Sequence, residues 1–169
     1  EELAKTTRTT MKKLEENGFI KIEEEYIYRN PLLIFKDVET EPLFELAGEQ
    51  ITAYEGIKGK LRSQSPILLH GVTASGKTEV YFKLIKDVID SGKNVLFLAP
   101  EIALASQLTK RLARKFGIKD VAIWHSSISD GEKYDVWQRL FKNEIKILAG
   151  ARSAVFAPLQ NIGLIIIDE

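Results

Sequence analysis

Apolar positions along the chain follow two regimes, and the change falls near residue 43. In the first part they are sparse. Met11 and Leu14 stand at helical spacing behind a threonine-rich start, and Asn17-Gly18 supplies a stop, which predicts a short helix over residues 6–16. Phe19, Ile20 and Ile22, then the acidic run Glu23-Glu24-Glu25, then Tyr26, Ile27 and Tyr28 predict a small hairpin ahead of Asn30-Pro31. Helix, glycine and hairpin in that order outline a winged-helix-like segment over residues 1–30. Residues 31–44, with prolines at 31 and 42, are expected to be a linker.

Beyond residue 43 the pattern becomes regular. A helix is expected over residues 47–61. Short apolar strands at 67–69, 95–99, 121–124, 145–149 and 164–167 then alternate with amphipathic helices at 79–91, 103–116 and 131–143. Strand and helix in alternation predict an α/β fold, a parallel sheet covered by helices on both faces, and no repeat or low-complexity tract interrupts it.

Composition narrows the picture further. At 169 residues and 44% hydrophobic content the chain can bury one sizeable core with a small satellite, which excludes disorder. The absence of Cys removes disulfides, thiolate zinc sites and cysteine nucleophiles together, and it suits a reducing compartment, so the cytoplasm is expected. No apolar run approaches the roughly 20 residues that span a bilayer, and the acidic start is no signal peptide, so no membrane partner is expected. The strand-like run into Asp168-Glu169 stops where a loop should begin, and the chain is expected to be a piece of something longer.

Charge is balanced overall, 24 basic against 24 acidic side chains, so any polyanion site must be local. Residues 1–50 carry 7 basic and 12 acidic groups, which leaves the basic surplus in the α/β part. Lys110, Arg111, Arg114, Lys115 and Lys119 hold five cations without an acid, and their spacing reads as the solvated face and end of a helix. The acidic hairpin turn, and a first helix that balances Lys against Glu, favour a spacer or protein-docking role over DNA contact for the first segment.

The strongest chemical signal is Gly71-Val72-Thr73-Ala74-Ser75-Gly76-Lys77-Thr78, which satisfies the phosphate-loop pattern at every specified position. A strand expected before it and a helix after it supply the required context. Glycines permit the tight turn, successive backbone N–H groups and the helix N-terminus hold phosphate oxygens, and Lys77 neutralises the β- and γ-phosphates of ATP. Thr78 is expected to offer its hydroxyl to Mg2+. Asp168 and Glu169, at the end of an apolar strand, would complete the site at the sheet's carboxyl edge, Asp168 holding the metal and Glu169 positioning the attacking water. Gln50, near the start of a helix about twenty residues earlier, has an amide that can both donate to and accept from an adenine edge, although a plain surface role suits its chemistry equally.

Other residues carry weaker signals. His125 follows an apolar strand and precedes a polar turn, so it is expected to orient the loop rather than act as a base. Trp124 and Trp137 are expected to pack rather than stack on bases. From residue chemistry alone, Arg152-Ser153 is an ordinary loop.

Taken in order, the segments from Leu69 through Tyr81, Ala99-Pro100-Glu101-Ile102, His125 through Glu132, Gly150 through Pro158, and Ile166-Ile167-Asp168-Glu169 resemble the PriA family of primosomal replication-restart DNA helicases. The likeness is strong over residues 45–169. It implies a superfamily 2 motor that hydrolyses ATP and moves 3′ to 5′ on single-stranded DNA, with residues 45–169 as its first RecA-like P-loop lobe, cut after the Asp-Glu pair. It also implies that Pro100, Glu101, Arg152 and Ser153 lie along the DNA path. In that family the domain that captures the DNA 3′ end, the cysteine-rich zinc module and the second lobe with its arginine finger belong to other parts of the protein, so zinc is expected only there. Implied partners are single-stranded and forked DNA, other replication-restart proteins and single-strand-binding protein, with this stretch itself monomeric. Two other classes compete: a nucleotide-gated DNA- or protein-binding module without helicase activity, which the water-positioning Glu169 disfavours, and a small-molecule kinase, for which no acceptor-binding lid is recognisable.

Overall fold

The computed structural model describes residues 8–23, 27–29, 31–32, 40–63 and 65–168. The first helix, α1 (Arg8–Glu16), buries none of its residues, and the Asn17-Gly18 stop works as its chemistry predicts. Gly18 takes a left-handed φ of 74°, its N–H reaches the Glu15 carbonyl at 2.9 Å, and the Phe19 N–H reaches that of Leu14 at 2.9 Å. The expected hairpin turn falls partly on residues 24–26, which lie outside the described residues. On either side of it, residues 19–23 and 27–29 form no strand.

The α/β part follows the alternation closely. After α2 (Glu49–Lys60) and α3 (Lys77–Asp90) the order is β1 (Asn94–Leu98), α4 (Ile102–Phe116), β2 (Val121–Trp124), α5 (Asp130–Phe141), β3 (Ile147–Gly150), a 3₁₀ turn (Arg152–Phe156) and β4 (Ile162–Ile167). The four strands are parallel in the order β2-β3-β1-β4. Alternate side chains face opposite ways, so Val95, Phe97, Val121, Ile123, Ile147 and Ala149 meet α3 and α4 on one face. On the other, Leu96, Ala122 and Leu148 meet Val136 and Leu140 of α5 and Ala154 of the 3₁₀ turn. Of α2 to α5, α5 alone has a side-chain cap at its start. At α5 the Ser129 hydroxyl accepts the Glu132 N–H at 3.3 Å while the Glu132 carboxylate accepts the Ser129 N–H at 2.9 Å, a reciprocal cap.

Two expectations are corrected. Residues 67–69 were expected as a strand before the phosphate loop, but the segment makes no ladder, and Leu68 is 89% exposed. A three-residue apolar run offers few ladder bonds. β4 is apolar enough to be expected buried throughout, yet it is an edge strand: Ile166 is buried, while Ile165 and Ile167, on the opposite face, lie beyond the cover of α5 and are exposed.

The segment ahead of α2 is fastened to the sheet domain at several points. Leu32 is buried in the larger core. The Arg29 N–H donates to the Asp135 carboxylate of α5 at 2.9 Å, and the Glu41 N–H donates to the Arg114 carbonyl of α4 at 2.7 Å. Lys115 donates to the Pro42 carbonyl at 2.7 Å and pairs with Glu41 at 3.3 Å, so it is not one of a row of solvated cations. No helix among the described residues is long and apolar enough to cross a membrane.

Candidate nucleotide and nucleic-acid site

Parallel strands point their carboxyl ends the same way, so the loops after β1, β2, β3 and β4 gather on one edge of the sheet. Asp168 leaves β4 with its N–H bonded to the Leu98 carbonyl at 3.0 Å. Next to it, Pro100 and Glu101 follow β1, with Glu101 in extended backbone as the residue that opens α4. Arg152 and Ser153 follow β3 in the 3₁₀ turn, which leaves Arg152 exposed and seats Ala154 in the core. The strand neighbours fix these loops to one another, because the Ala99 N–H bonds the Gly150 carbonyl at 2.9 Å and the Ala151 N–H bonds the Trp124 carbonyl at 3.2 Å.

The phosphate loop runs from Gly71 to Gly76 and turns directly into α3. Gly76 has a φ of 80°, a conformation that other residues adopt only at a cost of roughly 1–2 kcal/mol, and a Cβ there would collide with the Gln50 amide nitrogen. The Lys77 ammonium reaches across the loop to the carbonyls of Gly71 at 2.7 Å and Val72 at 3.0 Å, which holds its charge over the loop's centre. Thr73, Ala74, Ser75, Gly76, Lys77, Thr78 and Asp168 all line one cavity of about 440 Å³. Lysine, a hydroxyl and a carboxylate therefore converge where α3 begins. That donor set suits a polyphosphate with a hard divalent cation, the hydroxyl and carboxylate oxygens for the metal and the backbone amides with Lys77 for the phosphates. Glu169, the expected water-positioning residue, lies outside the described residues.

Three contacts that sequence reasoning missed shape this site. Tyr81, one turn along α3 from Lys77, stands against Phe97 in an edge-on pair with ring centroids 5.8 Å apart. Burial first, then the nearby charge of Asp168, push the Tyr81 phenol above its ordinary value, so it stays neutral beside that carboxylate. Arg111 of α4 reaches the same cavity, with consequences taken up below. The third contact fixes α2: Asp87 of α3 accepts hydrogen bonds from the Tyr54 hydroxyl at 2.5 Å and from Lys58 at 2.6 Å. Burial alone would raise the Asp87 carboxyl, but those hydrogen bonds and the Lys58 charge outweigh it and hold the group below its usual range. This lock sets the distance of Gln50, near the start of α2, from the phosphate loop. The Gln50 Nε2 donates to the Ser75 carbonyl at 3.3 Å, and its Oε1 accepts the Ala47 N–H at 3.2 Å.

His125 behaves as a loop-orienting residue. It is 8% exposed, and its Nδ1 accepts the Ser127 N–H at 3.2 Å. Burial, with a smaller contribution from the Lys133 charge, lowers its pKa despite the opposing pull of Glu132. A base whose folded pKa is depressed adds stability above its unfolded value, near 6.5, and that contribution is lost as pH falls below it. Thermal denaturation should therefore show Tm dropping between pH 7.5 and 5.5, and His125→Asn, which retains an acceptor for Ser127, should flatten the drop. An unchanged slope in that variant would remove His125 as the cause. Glu132 and Asp87, whose values are lowered from 4.5 and 3.8, act only at more acidic pH. Trp124 packs on the smaller core as expected, whereas Trp137, paired with it at 6.1 Å between centroids, is 42% exposed and lies outside the core.

Comparison with known proteins places these features in a family. The family model for DEAD/DEAH box helicases matches residues 49–169. Across nearly the whole chain, the replication restart protein PriA of Bacillus subtilis (strain 168) is 45% identical, covering 99% of this chain and 21% of its own length. The replication restart protein PriA of Synechocystis is 42% identical over 95% of this chain and 19% of its own length, and that of Chlamydia pneumoniae is 35% identical over 99% and 22%. The chain spans about a fifth of the length of these relatives. With a phosphate loop and a strand-end aspartate in one cavity inside a stretch matched from Glu49 onward, this chain belongs to the DEAD/DEAH box helicase family.

Proposed function

We propose that this chain is the first RecA-like motor lobe, residues 45–169, of an ATP-dependent DNA helicase that translocates 3′ to 5′ on single-stranded DNA and acts in replication fork restart and primosome assembly. The observation that carries the reading is the shared edge: Lys77, Thr78 and Asp168 line one cavity, and the loops of Pro100-Glu101 and Arg152-Ser153 end the neighbouring strands β1 and β3. ATP with Mg2+ would supply the phosphoryl group and the metal charge that draws the terminal phosphate's electrons. The chain's own residues do the rest. Loop amides and Lys77 would bind the β- and γ-phosphates, Thr78 and Asp168 would hold the metal, with the neutral Tyr81 phenol beside Asp168, and Glu169 would position the attacking water.

On the DNA side, backbone amides, the Ser153 hydroxyl and the Arg152 guanidinium would grip phosphates, with Pro100 and Glu101 shaping the adjoining wall. The working partners are single-stranded and forked DNA, replication-restart proteins and single-strand-binding protein, in the cytoplasm, and residues 1–30 act as a winged-helix-like appendage. The test is steady-state ATP hydrolysis by the protein with and without forked or single-stranded DNA. DNA that raises turnover supports the motor; hydrolysis indifferent to DNA sinks the translocase reading and leaves a nucleotide-gated binding module.

Gln50 takes the adenine edge in this reading, since α2 holds it beside the phosphate loop through the Tyr54–Asp87–Lys58 lock. Gln50→Ala should raise KM for ATP about 10-fold while leaving KM for GTP within about 2-fold, the difference expected from losing a paired set of hydrogen bonds to one base. Equal changes for both nucleotides would assign Gln50 to loop support alone.

A further inference from the structure

Arg111 belongs by sequence to the run of cations on the outer face of a helix, and although its side chain is 51% exposed, its guanidinium is laid against α3. It stands in α4, nine residues beyond Ile102, and lines the same cavity as Lys77 and Asp168. Its NH1 lies 3.5 Å from the Thr78 hydroxyl and its NH2 lies 3.4 Å from Glu79 Oε1. The guanidinium rests over the Phe82 ring, 5.4 Å from its centroid, and Phe82 is itself braced edge-on by Phe116 at 6.1 Å. One planar fork thus touches Thr78, Glu79 and Phe82 in the first two turns of α3.

Glu79 explains why a cation is needed there. Its side chain is 19% exposed, and its Oε2 is buried without a hydrogen-bond partner among the described residues. The carboxylate sits one residue after the proposed metal ligand Thr78, where phosphates are to bind, so an uncompensated charge would repel them. The Thr78 hydroxyl has one proton and two lone pairs. A donor on one lone pair restrains its rotamer and leaves the other lone pair open to a further partner.

We propose that Arg111 is a positioning residue of the nucleotide site: from α4 it clamps the Thr78 hydroxyl and neutralises Glu79, so that Mg2+ with its phosphates meets an oriented ligand and no bare carboxylate. The proposal rests on the ATP and Mg2+ reading of the cavity. It also gives the loop at Pro100-Glu101, which opens α4, a rigid connection to the metal side of the phosphate loop.

The experiment titrates the chain with ADP carrying a fluorescent N-methylanthraniloyl group, across a Mg2+ series and in excess chelator. Arg111→Ala should weaken binding about 10-fold at saturating Mg2+ and raise the Mg2+ concentration at half-effect several-fold, the size expected for removing a charge-assisted contact. In chelator the loss should be smaller. Glu79→Gln added to Arg111→Ala should return most of the affinity, because the repelling charge is gone; a residue that merely packed would not be rescued this way. Arg111→Lys keeps the charge but not the fork or the stacking, and should recover the Glu79 part only. If Arg111→Ala does not fold, Arg111→Lys and Glu79→Gln carry the same comparison. Wild-type binding and Mg2+ dependence in Arg111→Ala would overturn the proposal. Lys77→Ala run in parallel separates the two readings, since wild-type binding there condemns the nucleotide site as a whole.

Discussion

Lys77→Ala should abolish nucleotide-dependent activity, lowering ATP hydrolysis by about 10²–10³-fold, the loss typical of removing one fixed charge donor from a phosphoryl-transfer site. The size follows from where the ammonium sits. It bridges the carbonyls of Gly71 and Val72 at 2.7 and 3.0 Å, so its charge stands at the centre of the loop, and no other lysine lines that cavity. Arg111, the cavity's other cation, is engaged by Glu79 and Thr78 and cannot take over. The fold should survive, because Lys77 occupies the first turn of α3 and the core of that helix is built by Val80, Phe82, Leu84, Ile85 and Val88. Circular dichroism and Tm near wild type, together with lost hydrolysis, are the expected pair of results. Hydrolysis that persists at more than a tenth of wild type would show that the cavity between the phosphate loop and Asp168 is not where ATP reacts.

What could be read in the sequence follows the range of the interactions involved. The phosphate loop is legible because its constraints are local: a left-handed glycine at Gly76, a lysine at the next position and a helix that starts there. The alternation of strands and helices is legible for the same reason, since period-2 and period-3.6 patterns record which face is buried. Asp168 was placed by its position at a strand end. Arg111 was not found, because the residues it serves, Thr78 and Glu79, lie over thirty positions away, and a helix-face arginine laid against a neighbouring helix leaves no mark different from one that stays in water. Tyr81 and the Tyr54–Asp87–Lys58 lock are hidden likewise by pairings across elements. Edge position is a third kind of blindness: residues 164–167 read as a buried strand because apolar content does not say which strands lie at the edges of the sheet.

Gly150, which precedes the loop assigned to DNA contact by resemblance, is a packing constraint, and its substitution should have the largest effect on stability. It ends β3 immediately before Ala151, Arg152 and Ser153. A Cβ at this position would strike the Trp124 carbonyl oxygen of β2 and come within 2.7 Å of the Ala154 Cβ, which is buried at 1% exposure. Neither obstacle can yield cheaply. The carbonyl belongs to the strand ladder and accepts the Ala151 N–H at 3.2 Å, and Ala154 is packed into the smaller core. Gly150→Ala should therefore cost about 3 kcal/mol, at the upper end for overpacking a well-filled site, and lower Tm by about 10 °C in a domain of this size. Because the displaced groups carry the 3₁₀ turn, Arg152 and Ser153 should move with them, so affinity for single-stranded DNA should fall at temperatures where the variant is still folded. Fluorescence anisotropy with a labelled oligonucleotide, measured well below Tm, separates the two effects. A wild-type Tm in Gly150→Ala would mean the strands do not approach as closely here as the structure has them. Lost DNA affinity with Tm unchanged would instead place Gly150 in direct contact with the nucleic acid.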